Sequence, residues 1–251
     1  MLEKIAWYWE KSTPMSFIPE NMGYEEKRRF RYELQNYMQE AFGFADFKGQ
    51  SVLEVGCGSG IDTVEFARYG AKVTAIDLTQ VAVELTRTLL AEAGLPATVT
   101  QADVCGLPFE DNSFDCVYAF GILHHIPDVN KALAEIHRVL RVGGKVMAML
   151  YNKDSLLYEY SIMYQRGVKE GFLKIHTEDE LVSRFSERNE LCPYTKAYHK
   201  AEAIDLFEEL FRNVEASVHY NVIDLPEKRK VKVDIPSEYE LGWHLVVKGR
   251  K

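Results

Sequence analysis

The stretch VLEVGCGSG, Val52 to Gly60, is a short apolar run broken by one glutamate and followed by three glycines set among small residues. It reads as a β-strand entering a tight turn, where glycine lets the backbone come close to a ligand. Open parallel sheets bind ligands beyond the carboxyl ends of their strands, so this turn is a site candidate. Its spacing argues against two nucleotide classes. A dinucleotide turn needs G-x-G-x-x-G, but here the glycines stand at 56, 58 and 60 and Ile61 takes the sixth position. A Walker loop needs a following Gly-Lys-Ser/Thr, which is missing.

Outward from this turn, residues 51–151 alternate between β-rich runs and helical stretches. SVLEV, KVTAID, ATVTQ, FDCVYAF and KVMAMLY are the expected strands. Between them lie three helices: IDTVEFARYG with Val64, Phe66 and Ala67 inward; TQVAVELTRTLLAEAG with Val81, Leu85, Thr88 and Leu89 on one stripe; and DVNKALAEIHRVLRVGG with Leu133, Ile136, Val139 and Leu140 inward. This rhythm implies a parallel α/β sheet with right-handed crossovers.

The flanks differ. Residues 24–45 are expected to form one helix with Phe30, Leu34, Tyr37 and Ala41 on a face, packing near the ligand edge of the sheet. The preceding WYWEKSTPMSFIPEN reads as an arm held by its aromatics. Residues 152–197 carry helical patches without a clear strand and read as an inserted lid. KAEAIDLFEELF then gives a helix, VEASVHY and LGWHLVVKG two strands, and the charged EKRKVKVDIPSEYE a long hairpin connection. The expected organisation is a cap over 1–48 and a main domain over 49–251.

The 251 residues hold enough chain for a buried core without covalent staples. Four scattered cysteines (Cys57, Cys105, Cys116, Cys192) form no C-x-x-C pair and read as reduced thiols, which points to the cytoplasm. No apolar run approaches the roughly 20 residues of a membrane span, and no secretory h-region opens the chain. Acidic residues outnumber basic ones 38 to 30, against nucleic-acid binding; the basic clusters at 27–31 and 228–230 are flanked by glutamates and read as solvated surface.

Carboxylates stand at further strand ends. Asp77 closes the second expected strand, where an acidic side chain can accept both ribose hydroxyls, and Asp103 follows the third, where it can accept from an adenine amine. VLEVGCGSG, AIDLT, ADVCGLPFEDNSFDCVYAFGILHHIPD and EIHRVLRVGGKVMAML together resemble, in order and spacing over about residues 50–152, a class I S-adenosylmethionine-dependent methyltransferase. More narrowly they resemble the small-molecule branch that includes the quinone C-methyltransferases, methyltransferase type 11. The resemblance implies a Rossmann-like seven-stranded, mostly parallel sheet with one antiparallel strand, here with an N-terminal helical cap and inserted helical lid. It implies that Glu54, Gly56, Cys57, Gly58 and Gly60 floor the methionine part of the cofactor. Asp77 would hold the ribose and Leu78 the adenine, Asp103 and Val104 would meet the adenine, and Ala119 and Phe120 the methionine end. Relatives often carry an acidic residue where Cys105 stands. S-adenosylhomocysteine would be the product.

Methyl transfer needs alignment of nucleophile and methyl in a dry site, and a base only if the acceptor arrives protonated. His125, with His124 beside it and Tyr151 at the end of the fifth strand, is the catalytic candidate. A metal held by these histidines with Asp128 lacks the i, i+4 helical spacing, so none is expected. Acceptor-binding candidates are Tyr24, Arg28 and Asn152, together with Tyr198; Arg29, Tyr194 and His199 stand nearby, and each reads equally as structural. NMGYEEKRRFRYELQ, MLYNKDSLLY and YTKAYHKAEAIDLF also look like a group of bacterial and archaeal methyltransferases tied to glycan or secondary metabolism, which implies an oxygen acceptor. The expectation is a small-molecule methyltransferase, with an oxygen acceptor favoured over carbon or nitrogen, and a monomer or homodimer. The alternatives are a protein or RNA methyltransferase and a binding protein that uses the cofactor for other chemistry.

Overall fold

The computed structural model describes residues 1–12, 22–187, 192–225 and 228–251. The proline-broken arm at 13–21 and the side chains of Lys228 and Arg229 lie outside the described set.

β1 (Ser51–Val55) is central, flanked in parallel by β2 (Lys72–Asp77) and β4 (Phe114–Phe120). β3 (Thr98–Gln101) extends the β2 side, and β5 (Leu140–Asn152) the β4 side, both in parallel register. β6 (Ala197–Tyr198) adds a two-residue pairing to the end of β5. β7 (Arg212–His219) forms the far edge. A separate hairpin pairs β8 (Val222–Leu225) with β9 (Lys228–Lys232), the latter within the charged segment expected as a long hairpin connection. β10 (His244–Arg250) inserts between β5 and β7, antiparallel to both. The main path therefore runs β3-β2-β1-β4-β5-β10-β7, with one strand reversed.

Strand alternation divides the core into two layers, because successive side chains point to opposite faces. Val52, Val73, Ala75, Cys116, Tyr118 and Met147 face one layer; Leu53, Ile76, Val117, Ala119, Val146 and Ala148 face the other. The first layer is covered by α3 (Met38–Phe42), α4 (Ile61–Arg68) and α5 (Gln80–Ala93), and the second by α6 (Val129–Val139) and α8 (Lys200–Glu208). At the heart of the first layer the Phe66 ring meets Phe44, Phe47 and Tyr118 edge-on, at centroid distances of 4.7, 5.7 and 5.2 Å.

Several expectations are corrected. α5 buries Ala82, Val83, Thr86, Leu89 and Leu90, while Leu85 and Thr88 are exposed. The reason is contact with the glycine turn: small residues at 82 and 86 bring this helix against the loop, and the face rotates to suit. The helix over 24–45 is broken into α2 (Tyr24–Leu34) and α3 at Gln35, which leaves helical geometry at φ −116°, ψ 60°. The sequence before it is no simple arm, since Leu2–Lys11 forms α1 with Ile5 and Tyr8 buried. Leu140 belongs to β5, not to α6, because the chain reverses directly into pairing with Phe114. The inserted segment carries a π-helix (Leu157–Lys169) and α7 (Glu178–Phe185). All four cysteines are free thiols, and no helix among the described residues is long and apolar enough to cross a membrane.

Phe66→Ala should lower unfolding free energy by about 3–5 kcal/mol, the cost of deleting a fully buried aromatic. Urea denaturation followed by circular dichroism would measure it, and a shift below about 1 kcal/mol would contradict this packing.

Candidate active site

The turn after β1 is held by its own backbone. Gly56 and Cys57 donate N–H bonds to the Ile76 carbonyl at 2.8 and 3.0 Å, and Gly58 N–H donates to Asp77 Oδ2 at 3.1 Å. Two positions demand glycine. Gly56 has φ +76°, and a Cβ there would lie 2.1 Å from the Ile122 side chain. Gly60 has φ +80°, and a Cβ there would lie 2.8 Å from Thr86 Cα. Thr86 in turn donates its hydroxyl to the Gly58 carbonyl at 3.2 Å, locking α5 under the loop.

Three acidic side chains surround this turn. Glu54 is buried and accepts from the Thr63 hydroxyl; burial and the nearby Asp62 charge hold its carboxyl well above the ordinary range, favouring the neutral form. Asp77 accepts from Thr79 N–H and Oγ1, both at 2.9 Å; burial raises its carboxyl against the pull of the Thr79 and Gly58 N–H groups. Asp103 caps a short 3₁₀ turn by accepting from Cys105 N–H at 2.9 Å.

One cavity of about 1020 Å³ runs from this turn to the end of β5. That is the upper end of the range for small-molecule sites, enough for two ligands side by side. Glu54, Gly56, Cys57, Gly58, Asp77, Leu78, Asp103, Val104 and Phe120 all line it. Gly60 sits behind the wall as the N-cap of α4, and Ala119 is packed in the second core layer, so the lining beyond β4 falls to Phe120, Gly121 and Ile122.

At the other end stand His125, Tyr151 and Glu187. His125 is buried, with Nδ1 3.0 Å from the Tyr194 carbonyl and 3.0 Å from Thr195 Oγ1. A carbonyl only accepts, so this partner assigns the ring proton to Nδ1 and leaves Nε2 as a lone-pair acceptor. Nε2 lies 3.6 Å from Glu187 Oε1, which takes the Tyr151 hydroxyl at 2.6 Å. Burial lowers the His125 pKa, partly opposed by Glu187, while burial and Glu187 hold the Tyr151 phenol well above its usual value. The result is a neutral imidazole and a protonated phenol near neutral pH. Trp9 from α1 closes over His125 at 4.9 Å between centroids.

Other expected site residues lie elsewhere. His124 is fully buried and stacks on the Tyr151 ring at 3.7 Å; burial holds its pKa well below the usual value, and it does not line the cavity. Asn152 is structural, its amide donating to the Gly242 carbonyl at 2.9 Å. Arg28 spends its guanidinium on Glu65, with Nη2 to Oε1 at 2.9 Å, and Tyr24 packs beside the first core layer. Tyr198 is buried in the second layer. In place of these, the cavity exposes Arg31, Glu187, His244 and Trp9, which sequence reasoning missed. Arg31 is buried, donates to Asp62 Oδ2 at 2.9 Å, and lies 4.5 Å from the centroid of the Phe120 ring.

Gly60→Ala should cost about 1–3 kcal/mol, for a side chain forced into the left-handed region with a clash behind it. Thermal denaturation would read this as a lower melting temperature, and an unchanged transition would refute the packing of α5 on the turn.

Residues 53–148 match the family model described as a methyltransferase domain. An uncharacterized 37.1 kDa protein in transposon TN4556 of Streptomyces fradiae is 30% identical over 218 residues, 81% of this chain and 63% of that one. The ubiquinone biosynthesis O-methyltransferase of Nitrosococcus oceani is 34% identical over 120 residues, 47% of this chain and 51% of the relative. The chain thus spans between about half and about three fifths of the length of these curated relatives. Among solved structures, a SAM-dependent methyltransferase from Methanosarcina mazei aligns with TM-score 0.61 at 20% identity, over 81% of this chain and 93% of that one, a likeness of fold.

Proposed function

We propose that the chain, whose residues 53–148 match a methyltransferase domain, transfers a methyl group from S-adenosylmethionine to a hydroxyl of a small molecule held in the inner part of the cavity. The observation that carries this reading is the joining, in one cavity, of the glycine cradle with its carboxylates to the buried imidazole of His125.

The residues present fit S-adenosylmethionine. Gly56 and Gly58 present bare backbone to the cavity, which suits close approach of a ligand. Asp77 and Asp103 keep acceptor capacity for hydroxyl and amine donors, and the apolar Leu78 and Val104 flank a flat ring. Glu54 and the turn would hold the methionine portion. When bound, the cofactor supplies a methyl on a sulfonium, which leaves with the C–S electron pair as S-adenosylhomocysteine.

The chain's own part is placement, dryness and a proton. Trp9 and Tyr8 from α1 cover the inner chamber, and Phe120 and His244 wall it, excluding water around the acceptor. His125 Nε2 accepts the proton of the acceptor hydroxyl as the oxygen's electron pair moves onto the methyl carbon. An oxygen acceptor also agrees with the named activity of the Nitrosococcus relative.

Calorimetry with S-adenosylmethionine and S-adenosylhomocysteine should show binding that Asp77→Ala weakens about tenfold or more, since hydrogen bonds to a charged group are lost. A wild-type chain that binds neither would end the reading. The pH dependence follows from the lowered His125 pKa. The imidazole is the working base only when neutral, so the methylation rate with a hydroxyl acceptor should be flat above pH 7. It should fall as acid carries the pH through a value below the usual 6.5 for histidine. A rate still climbing between pH 8 and 9 would assign the proton to another group.

A further inference from the structure

Glu187 lies far along the chain from His125, yet its carboxylate faces the one ring nitrogen of His125 that is left with a lone pair, at 3.6 Å. That distance is too long for a hydrogen bond and short enough for strong charge coupling. Oε1 is simultaneously tied to the Tyr151 hydroxyl at 2.6 Å, and the Tyr151 ring is clamped between His124 at 3.7 Å and Trp243 at 4.2 Å. The carboxylate is therefore held in place from the sheet side. On its other side His125 is fixed by the Tyr194 carbonyl and the Thr195 hydroxyl. Resting on the methyltransferase reading above, we propose that Glu187 is the positioning residue of the acceptor site. It stabilises the imidazolium that forms when His125 takes a hydroxyl proton, and it admits acceptors that are uncharged at the reacting oxygen while repelling carboxylates.

The charge sequence supports both roles. Before transfer, Nε2 and Oε1 are two acceptors facing each other, an arrangement that a donor hydroxyl placed between them relieves. After transfer, the proton sits on Nε2 and the ring carries a positive charge beside the carboxylate. A carboxylate acceptor brings no proton and adds a second negative charge next to Glu187, so it meets repulsion with no compensating donor. The groups facing His125 are Glu187 and Cys192 from the segment after α7, Tyr8 from α1, Tyr151 from β5, the adjoining His124, and Lys230 from β9. Of these, Glu187 is the carboxylate, and Lys230 acts in the opposite direction.

The test is an NMR titration of the His125 ring in the full chain, assigned with His125→Gln, with and without S-adenosylhomocysteine. In Glu187→Gln the His125 pKa should drop by about one unit, as expected for a lost neighbouring charge. In Tyr151→Phe it should rise, because Glu187 loses the donor that partly neutralises it. Loosened packing alone would move both variants the same way. An unchanged value in Glu187→Gln, or a drop in Tyr151→Phe, overturns the assignment. Phenol and benzoate serve as probes for the filter: the wild-type complex with S-adenosylhomocysteine should bind phenol, and Glu187→Gln should gain at least about tenfold in benzoate affinity. Equal benzoate affinity in both proteins removes the filter. If the wild type binds no S-adenosylhomocysteine, the methyltransferase reading fails, and the titration of the free chain still decides the role of Glu187.

Discussion

The carboxylate of Asp62 holds the two halves of this protein together. It stands in the first turn of α4, where the helix N-terminus favours negative charge. It accepts from Arg31 and Tyr32 of α2 and from Tyr118 in the middle of β4, the last two at 2.9 Å. One buried side chain thus joins the cap, the helix after the glycine turn and the central sheet. The desolvation of such a group is offset because its three hydrogen-bond partners all donate to it. Arg31, paid for in the same contact, is thereby laid across Phe120 and becomes part of the cavity wall. Together with the Arg28–Glu65 pair, this contact sets the height of α2 above the turn.

The local part of the site was legible because its chemistry is written in consecutive residues. A strand, three alternate glycines and a carboxylate at the end of the next strand specify their own geometry, since positive φ and strand periodicity are properties of short segments. Residues paired across the fold were not legible. Arg31 with Asp62 and His125 with Glu187 meet only after the cap and the insertion have docked, and nothing in the neighbourhood of either residue announces the other. The same blindness explains the acceptor candidates that lie off the cavity. Arg28, Asn152 and Tyr198 are polar groups near the right strand ends, but Glu65, the Gly242 carbonyl and the second core layer claim them. The rotated stripe of α5 is a gentler case, in which contact with the glycine turn outweighs the apolar periodicity that the helix shows alone.

The cavity is electrostatically divided. Around the turn stand Glu54 and Asp77, both raised by burial, with Arg31 and Asp62 paired behind them. In the inner chamber the ionisable groups are held mostly neutral: His125 and His244 are lowered by burial, and Tyr8 and Tyr151 are raised. A positive charge placed at the turn would draw these raised carboxyls back toward ionisation, a response the mostly neutral inner chamber lacks, so the two ends differ in how they answer a charged ligand.

The reversed strand has a consequence for how the chain assembles during synthesis. β10 follows β7 in sequence but lies between β5 and β7 in the sheet. An emerging chain that has made β7 lacks the strand it pairs with in the finished sheet until β10 arrives. The ladder that ties this edge to the rest of the sheet, β5 with β10, joins the residues farthest apart in sequence of any strand pair in the sheet, and such non-local pairing is slow to form. His244, which opens β10, joins the cavity wall through that ladder. The glycine turn rests on pairings between strands close in sequence, whereas the cavity wall at His244 rests on the ladder that spans the most chain, so the two ends of one cavity depend on very different lengths of sequence.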